Sequence, residues 1–166
     1  VLVNALYFNA PWENEFDPAL TTDQTFYGKN KESKVRMMSS KGHYMYAESQ
    51  GFQVIQLPYE GQRYSMYVIL PPDGSDLNKL IPKATETVFN SALDALQMQE
   101  VRFFMPRFKV ETSMLLNEPL QNMGIKTAFT SAADFSSIAE MGPLVVDQVK
   151  QKCYVDVSEK GTEAAA

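Results

Sequence analysis

Residues 144–157, Leu144-Val145-Val146-Asp147-Gln148-Val149-Lys150-Gln151-Lys152-Cys153-Tyr154-Val155-Asp156-Val157, read as one long strand that leads directly into a segment of different character. Glu159-Lys160-Gly161-Thr162-Glu163-Ala164-Ala165-Ala166 holds one glycine, and after it, Thr162 and Glu163 apart, only methyl side chains. Gly161 permits backbone angles closed to other residues, so the chain can pivot there. The alanines have no bulk to resist passage between two strands. Such a segment can leave a sheet as a mobile loop and later enter a tight slot in it. A helix end is disfavoured by Gly161, and a disordered tail by the strand that precedes it.

The remaining strands set the fold class. Val1-Leu2-Val3-Asn4-Ala5-Leu6-Tyr7-Phe8 is nearly continuously apolar, the pattern of a strand buried on both faces, and Pro11 ends it. Thr25–Tyr27 and Lys34–Met38 are short strands split by the turn Gly28-Lys29-Asn30. Phe52–Pro58 and Tyr64–Leu70 are stronger, joined by a hairpin turn at Glu60-Gly61-Gln62. Val101–Val110 is a further strand, with Pro106 at a bend between two pairing environments. Helices are short. Asp76 caps one through Leu77, Leu80 and Ile81; Val88, Leu93 and Leu96 mark a second; Ser113 caps a third from Met114 to Met123, closed by Gly124. Strands with short segregated helices give an α+β chain with more than one, mostly antiparallel, sheet.

Bulk properties exclude several classes. A chain of 166 residues with 45% hydrophobic and 21% charged residues is ordinary globular material for one domain. A net charge of −5 with scattered Lys and Arg excludes a nucleic-acid surface, and no apolar run reaches membrane-spanning length. The single cysteine, Cys153, rules out an internal disulfide. Catalysis needs a nucleophile and a base. The only histidine, His43, stands beside Gly42 in a turn-like context and reads as a surface or packing residue. There is no Gly-x-Ser-x-Gly elbow, no glycine-rich phosphate loop and no cluster of metal ligands, so neither enzyme chemistry nor a cofactor is expected.

Three stretches, in this order, resemble the serpins, the family of suicide protease inhibitors. Val1-Leu2-Val3-Asn4-Ala5-Leu6-Tyr7-Phe8-Asn9-Ala10-Pro11-Trp12-Glu13-Asn14-Glu15-Phe16 is similar to the third strand of the large central sheet and the turn after it. Met105-Pro106-Arg107-Phe108-Lys109-Val110-Glu111, Leu120–Ile125 and Ala133-Asp134-Phe135-Ser136 form the second stretch, and Glu159 to Ala166 resembles the hinge of the reactive loop. The resemblance implies a partial serpin fold over residues 1–166, with the early helices before Val1 and the scissile bond and last strands after Ala166. It implies a spring mechanism, in which a serine or cysteine protease is trapped as an acyl-enzyme while the loop inserts as an extra strand. The partners it implies are that protease and the complementary segments of the same serpin as separate chains. The location it implies is extracellular or at the cell surface.

Residue roles follow from the same likeness. Glu159, Lys160, Gly161, Thr162, Glu163, Ala164, Ala165 and Ala166 match the hinge, with Thr162 the first inserted side chain. Trp12, Arg107 and Glu159 match the top of the sheet where insertion begins, and an Arg107–Glu159 pair is expected to hold the loop base until cleavage. Asn4 and Phe8 match the sheet-opening region. There the chain departs from the pattern: Gln151 stands where many serpins carry a His, and Gln does not titrate near neutral pH. The alternative is a non-inhibitory serpin, a carrier or chaperone, although residues 161–166 carry none of the bulky or proline residues that block insertion.

Overall fold

A computed structural model describes residues 4–28, 31–49, 51–83, 85–138 and 144–166. The chain divides into two compact units, residues 8–108 with 156–163, and residues 1–7 with 109–155 and 164–166.

The larger unit is built on an antiparallel sheet of β2 (Thr22–Tyr27), β3 (Glu32–Ser49), β4 (Phe52–Pro58), β5 (Ser65–Leu70) and β6 (Gln97–Pro106). The order is β2-β3-β4-β5, and β6 also pairs with β3. β3 is its spine. Glu32–Met37 pair with β2, Met37–Tyr46 with β6, and Tyr46–Ser49 with β4. The sequence shows only Lys34–Met38 of this strand, and the turn expected at Gly42-His43 is not one. Both residues lie inside β3, opposite Val101 and Glu100. Ladder pairing with β6 holds extended a glycine that local preference alone reads as a break.

The hairpin of β4 and β5 matches its sequence signal. Gly61 and Gln62 both take positive φ, 75° and 54°, the twist that a tight antiparallel connection requires. Asp76 accepts a bond from Asn78 N and caps α1 (Leu77–Leu80); Thr85 caps α2 (Glu86–Asp94), which stops short of Leu96. Among the described residues the buried apolar ones, Trp12, Phe16, Met38, Tyr44, Ala47, Val54, Ile55, Leu57, Tyr59, Met105 and Val157, all belong to this unit, and Met38 and Val157 are completely enclosed.

A second sheet has the order β1-β9-β8-β7, from β1 (Tyr7–Pro11), β9 (Gly161–Ala165), β8 (Lys150–Val157) and β7 (Phe108–Leu115). β1 ends at Pro11 as expected, but it is not buried on both faces. Phe8 and Ala10 are partly covered while Tyr7, Asn9 and Pro11 are exposed, because one face packs inward, with Phe8 set edge-on to Tyr59 and Tyr64. Val1–Val3 lie outside the described residues, as do Lys29 and Asn30 of the first turn. The bend at Pro106 separates β6 from β7.

In the smaller unit the expected helix from Met114 is displaced. Ser113 lies in β7, which runs to Leu115, and α3 spans Asn117–Asn122. Asn117 explains the shift: its side chain accepts from Val149 N and donates to Asp147 O, both at 2.8 Å, while Leu116 N bonds Val149 O. These bonds keep the chain extended up to Leu116. Gly124, at φ 101°, closes α3 as expected. The strand expected from Leu144 begins only at Lys150, since Val146 N and Val149 N bond Ala128 O and Asn117 instead of a ladder.

Candidate functional site

The small-residue segment forms β9, which lies in the sheet with β1 on one side and β8 on the other. Pairing runs from Trp12 N on Lys160 O, at 2.9 Å, back to Leu6 and Ala166, which exchange two bonds of 2.8 and 3.0 Å. β9 is therefore antiparallel to β1. It follows β8 through a tight turn at Ser158–Lys160, with Ser158 N bonded to Gly161 O at 3.0 Å, and so is antiparallel to β8 as well. β1 and β8 consequently run in the same direction. With β9 in place every neighbouring pair among these three is antiparallel, the slightly stronger ladder.

Within the larger unit the turn before β9 rests in a cradle made by the chain that leaves β1. Three successive carbonyls are taken up: Ser158 O by the Trp12 indole N–H at 2.9 Å, Glu159 O by Phe16 N at 2.9 Å, and Lys160 O by Trp12 N. The β4–β5 hairpin holds the cradle from behind. Glu13 N bonds Pro58 O, Glu60 N bonds Pro11 O, and Gln62 Nε2 bonds Glu13 Oε1 at 2.6 Å. Tyr59 stacks on Trp12 with centroids 4.6 Å apart and planes 10° from parallel.

Gly161 is required here for a reason different from the expected one. Its φ is not in the left-handed region. A Cβ at this position would instead land on the carbonyl oxygen of Ala10, 2.7 Å from Pro11 Cα and 2.9 Å from Ala10 C. The constraint is close approach to the backbone of β1. Thr162 follows, 5% exposed, and accepts a 2.8 Å hydrogen bond from the Tyr59 hydroxyl. Glu163 and Ala165 are exposed and Ala164 is partly covered, so side chains alternate across β9.

Arg107 and Glu159 are brought together, with Nη1 3.5 Å from Oε2 and β9 in place. The Glu159 side chain is 11% exposed and that of Arg107 49%, so the pair is buried on its acidic side only. Arg107 N bonds Arg36 O, which fixes the backbone where β6 ends. Burial pushes the Tyr59 phenol above its ordinary range, and the bond to Thr162 offsets part of that rise. Asn4 and Gln151 are both exposed; Asn4 lies beyond Leu6, the partner of Ala166, and Gln151 lies on β8. Among the described residues no hydrogen bond joins Asn4 to Gln151, and no three His, Cys, Asp or Glu side chains are grouped to hold a metal ion.

Sequence reasoning missed Tyr59, Phe16 and Ala10. Two of these act through backbone groups, which side-chain patterns do not reveal. Tyr59 carried one signal: an aromatic residue set between the end of a strand and a hairpin turn.

A family model described as Serpin (serine protease inhibitor) matches residues 1–166. Antichymotrypsin-2 of Bombyx mori is 37% identical over 174 residues, covering 100% of this chain and 45% of that protein. Leukocyte elastase inhibitor of Bos taurus is 38% identical, covering 100% and 46%. The structure of reactive-loop-cleaved human thyroxine-binding globulin superposes with a TM-score of 0.88 at 28% identity, over 97% of this chain and 48% of the other. The chain spans about half the length of the curated relatives it matches. With a match along its whole length and relatives well above a third identical, the chain belongs to the serpin family.

Proposed function

We propose that the protein is an inhibitory serpin, which traps a serine or cysteine protease as an acyl-enzyme by inserting its reactive loop into the central sheet. Residues 1–166 supply sheet strands and the hinge; segments before Val1 and after Ala166 complete the fold, in the same polypeptide or as separate chains. The protein does no catalysis of its own, and its place of action is extracellular or at the cell surface. The protease nucleophile attacks a peptide bond beyond Ala166, and the amine side of that bond leaves. The freed loop then enters between β1 and β8, carrying the bound protease with it.

The observation that carries this reading is the position of β9 between two strands of like direction. Energetics make the side chains decisive. Each inserted residue gains ladder bonds worth about 1 kcal/mol net, against about 1–2 kcal/mol of backbone entropy. Backbone terms nearly cancel, so insertion proceeds only if side chains enter without clash. Gly161, Thr162 and Ala164–Ala166 meet that condition: the closest approach falls on the residue without a Cβ, and the buried hydroxyl has a partner. The Arg107–Glu159 pair and the three bonded carbonyls anchor the pivot, so that residues from Gly161 onward swing while Ser158 and Glu159 stay bound.

The test uses the full-length protein with a panel of serine and cysteine proteases on denaturing gels. A covalent complex stable to SDS is expected with at least one; cleavage of the loop by every protease that accepts it, without complex, refutes inhibition. A second reading, a carrier, is favoured by the likeness to thyroxine-binding globulin. On that reading the loop is cut without complex while a small ligand binds.

A further inference from the structure

Gly161 and Thr162 are the buried residues of β9, and of the two only Thr162 has a side chain. Its hydroxyl meets one group, the Tyr59 phenol, at 2.8 Å. That phenol is not free to search for a partner. Its ring is stacked on Trp12 and held edge-on by Phe8, with centroids 5.1 Å apart at 71°. Its backbone is fixed by bonds from Tyr59 N to Tyr64 O and from Gln62 N to Tyr59 O, and by the bridge to Trp12. Tyr59 is 5% exposed. A rigid, desolvated donor waits where the first residue past the pivot arrives, and a buried hydroxyl without a partner is costly.

We infer that Tyr59 is a positioning residue that sets the register and first-residue identity of the inserting strand; the inference rests on the loop-insertion reading above. Side chains alternate along a strand, so a slip of one residue exchanges its faces. Such a slip toward the pivot sets the Glu163 carboxylate against the buried phenol, where an ionised group is disfavoured. A slip the other way brings Gly161, which offers no partner, and drives the Lys160 Cβ toward the Ala10 carbonyl. Only the observed register satisfies both the donor at Tyr59 and the close approach at Gly161. Thr or Ser at position 162 satisfies the donor; Val, equal in shape to Thr, does not.

The test compares Tyr59→Phe, Thr162→Val, Thr162→Ser and the double variant Tyr59→Phe/Thr162→Val in the full-length protein. Phe keeps the stack on Trp12, so folding is retained. Wild type must first form the SDS-stable complex, and its failure to do so indicts the inhibitor reading rather than this one. With wild type active, Tyr59→Phe is expected to raise the ratio of cleaved loop to complex about fivefold, the effect of one ordinary hydrogen bond. Thr162→Val matches it, the double variant adds nothing further, and Thr162→Ser restores wild-type behaviour. The melting temperature of the loop-cleaved form falls by about 2 °C, while that of the uncleaved form does not move. A merely structural tyrosine lowers both. Additive single effects, equal losses in both forms, or a Tyr59→Phe protein with unchanged partition each overturn the inference.

Discussion

Gly161→Ala is the sharpest perturbation this geometry offers. The added methyl lands on Ala10 O, 2.7 Å from Pro11 Cα and 2.9 Å from Ala10 C, whereas ordinary contacts lie at 3.4–4 Å. All three obstacles are backbone atoms, so none can rotate away. Clearing Pro11 Cα alone means parting β9 from β1 by about 0.7 Å, which stretches the neighbouring Trp12 N–Lys160 O bond from 2.9 Å past the hydrogen-bond range. One or two ladder bonds at about 1 kcal/mol each, with overpacking of about 1–3 kcal/mol, give a cost of about 2–5 kcal/mol to the inserted form. The free loop carries no such cost. At 1.4 kcal/mol per decade the partition between complex and simple cleavage shifts by about 30-fold to several thousandfold. The assay is the yield of SDS-stable complex per loop cleaved, with the melting temperature of the cleaved form alongside. Ala165→Thr, at an exposed position of the same strand, is the control and stays within about 0.5 kcal/mol. A Gly161→Ala protein that inhibits and melts like wild type refutes the reasoning.

Other expectations follow from the same cradle. Trp12 touches the pivot through its indole; Trp12→Phe removes the bond to Ser158 O and destabilises the protein by about 1–3 kcal/mol in denaturant melts. Glu159→Lys sets two cations side by side, and with Arg107 half exposed the loss of thermal stability is about 1 kcal/mol or less and fades in high salt. Burial raises the pKa of Tyr59 above the ordinary phenol value of 10.0, so its contribution is complete below pH 10 and is lost as pH rises through the folded-state value; alkaline melts of the cleaved form show this loss and Tyr59→Phe abolishes it. Met38→Ala, at a fully enclosed site, costs about 2–5 kcal/mol by chemical denaturation.

Much of this architecture is legible in the sequence wherever the deciding force is local. Phe52–Pro58 and its hairpin turn, the Asp76 cap and the stop at Gly124 each carry their own punctuation, and the structure follows it. The failures share a cause. Local preference assigns a turn to Gly42-His43 and a helix cap to Ser113, while pairing with β6 and the Asn117 bonds to distant backbone override it. The site divides the same way. Residue type and order marked Gly161, Thr162 and the alanines, but not why glycine is needed, since the obstacle is a carbonyl 151 positions away in the chain. Tyr59 escaped notice because its importance lies in a contact with Thr162, 103 positions on.

Everything turns on whether residues 161–166 move from solvent into the gap between β1 and β8. Amide hydrogen exchange on the full-length protein before and after loop cleavage measures that directly. The account predicts fast exchange at Thr162–Ala166 in the intact form and, after cleavage, protection equal to that of β8. Equal exchange at these amides in both forms contradicts it.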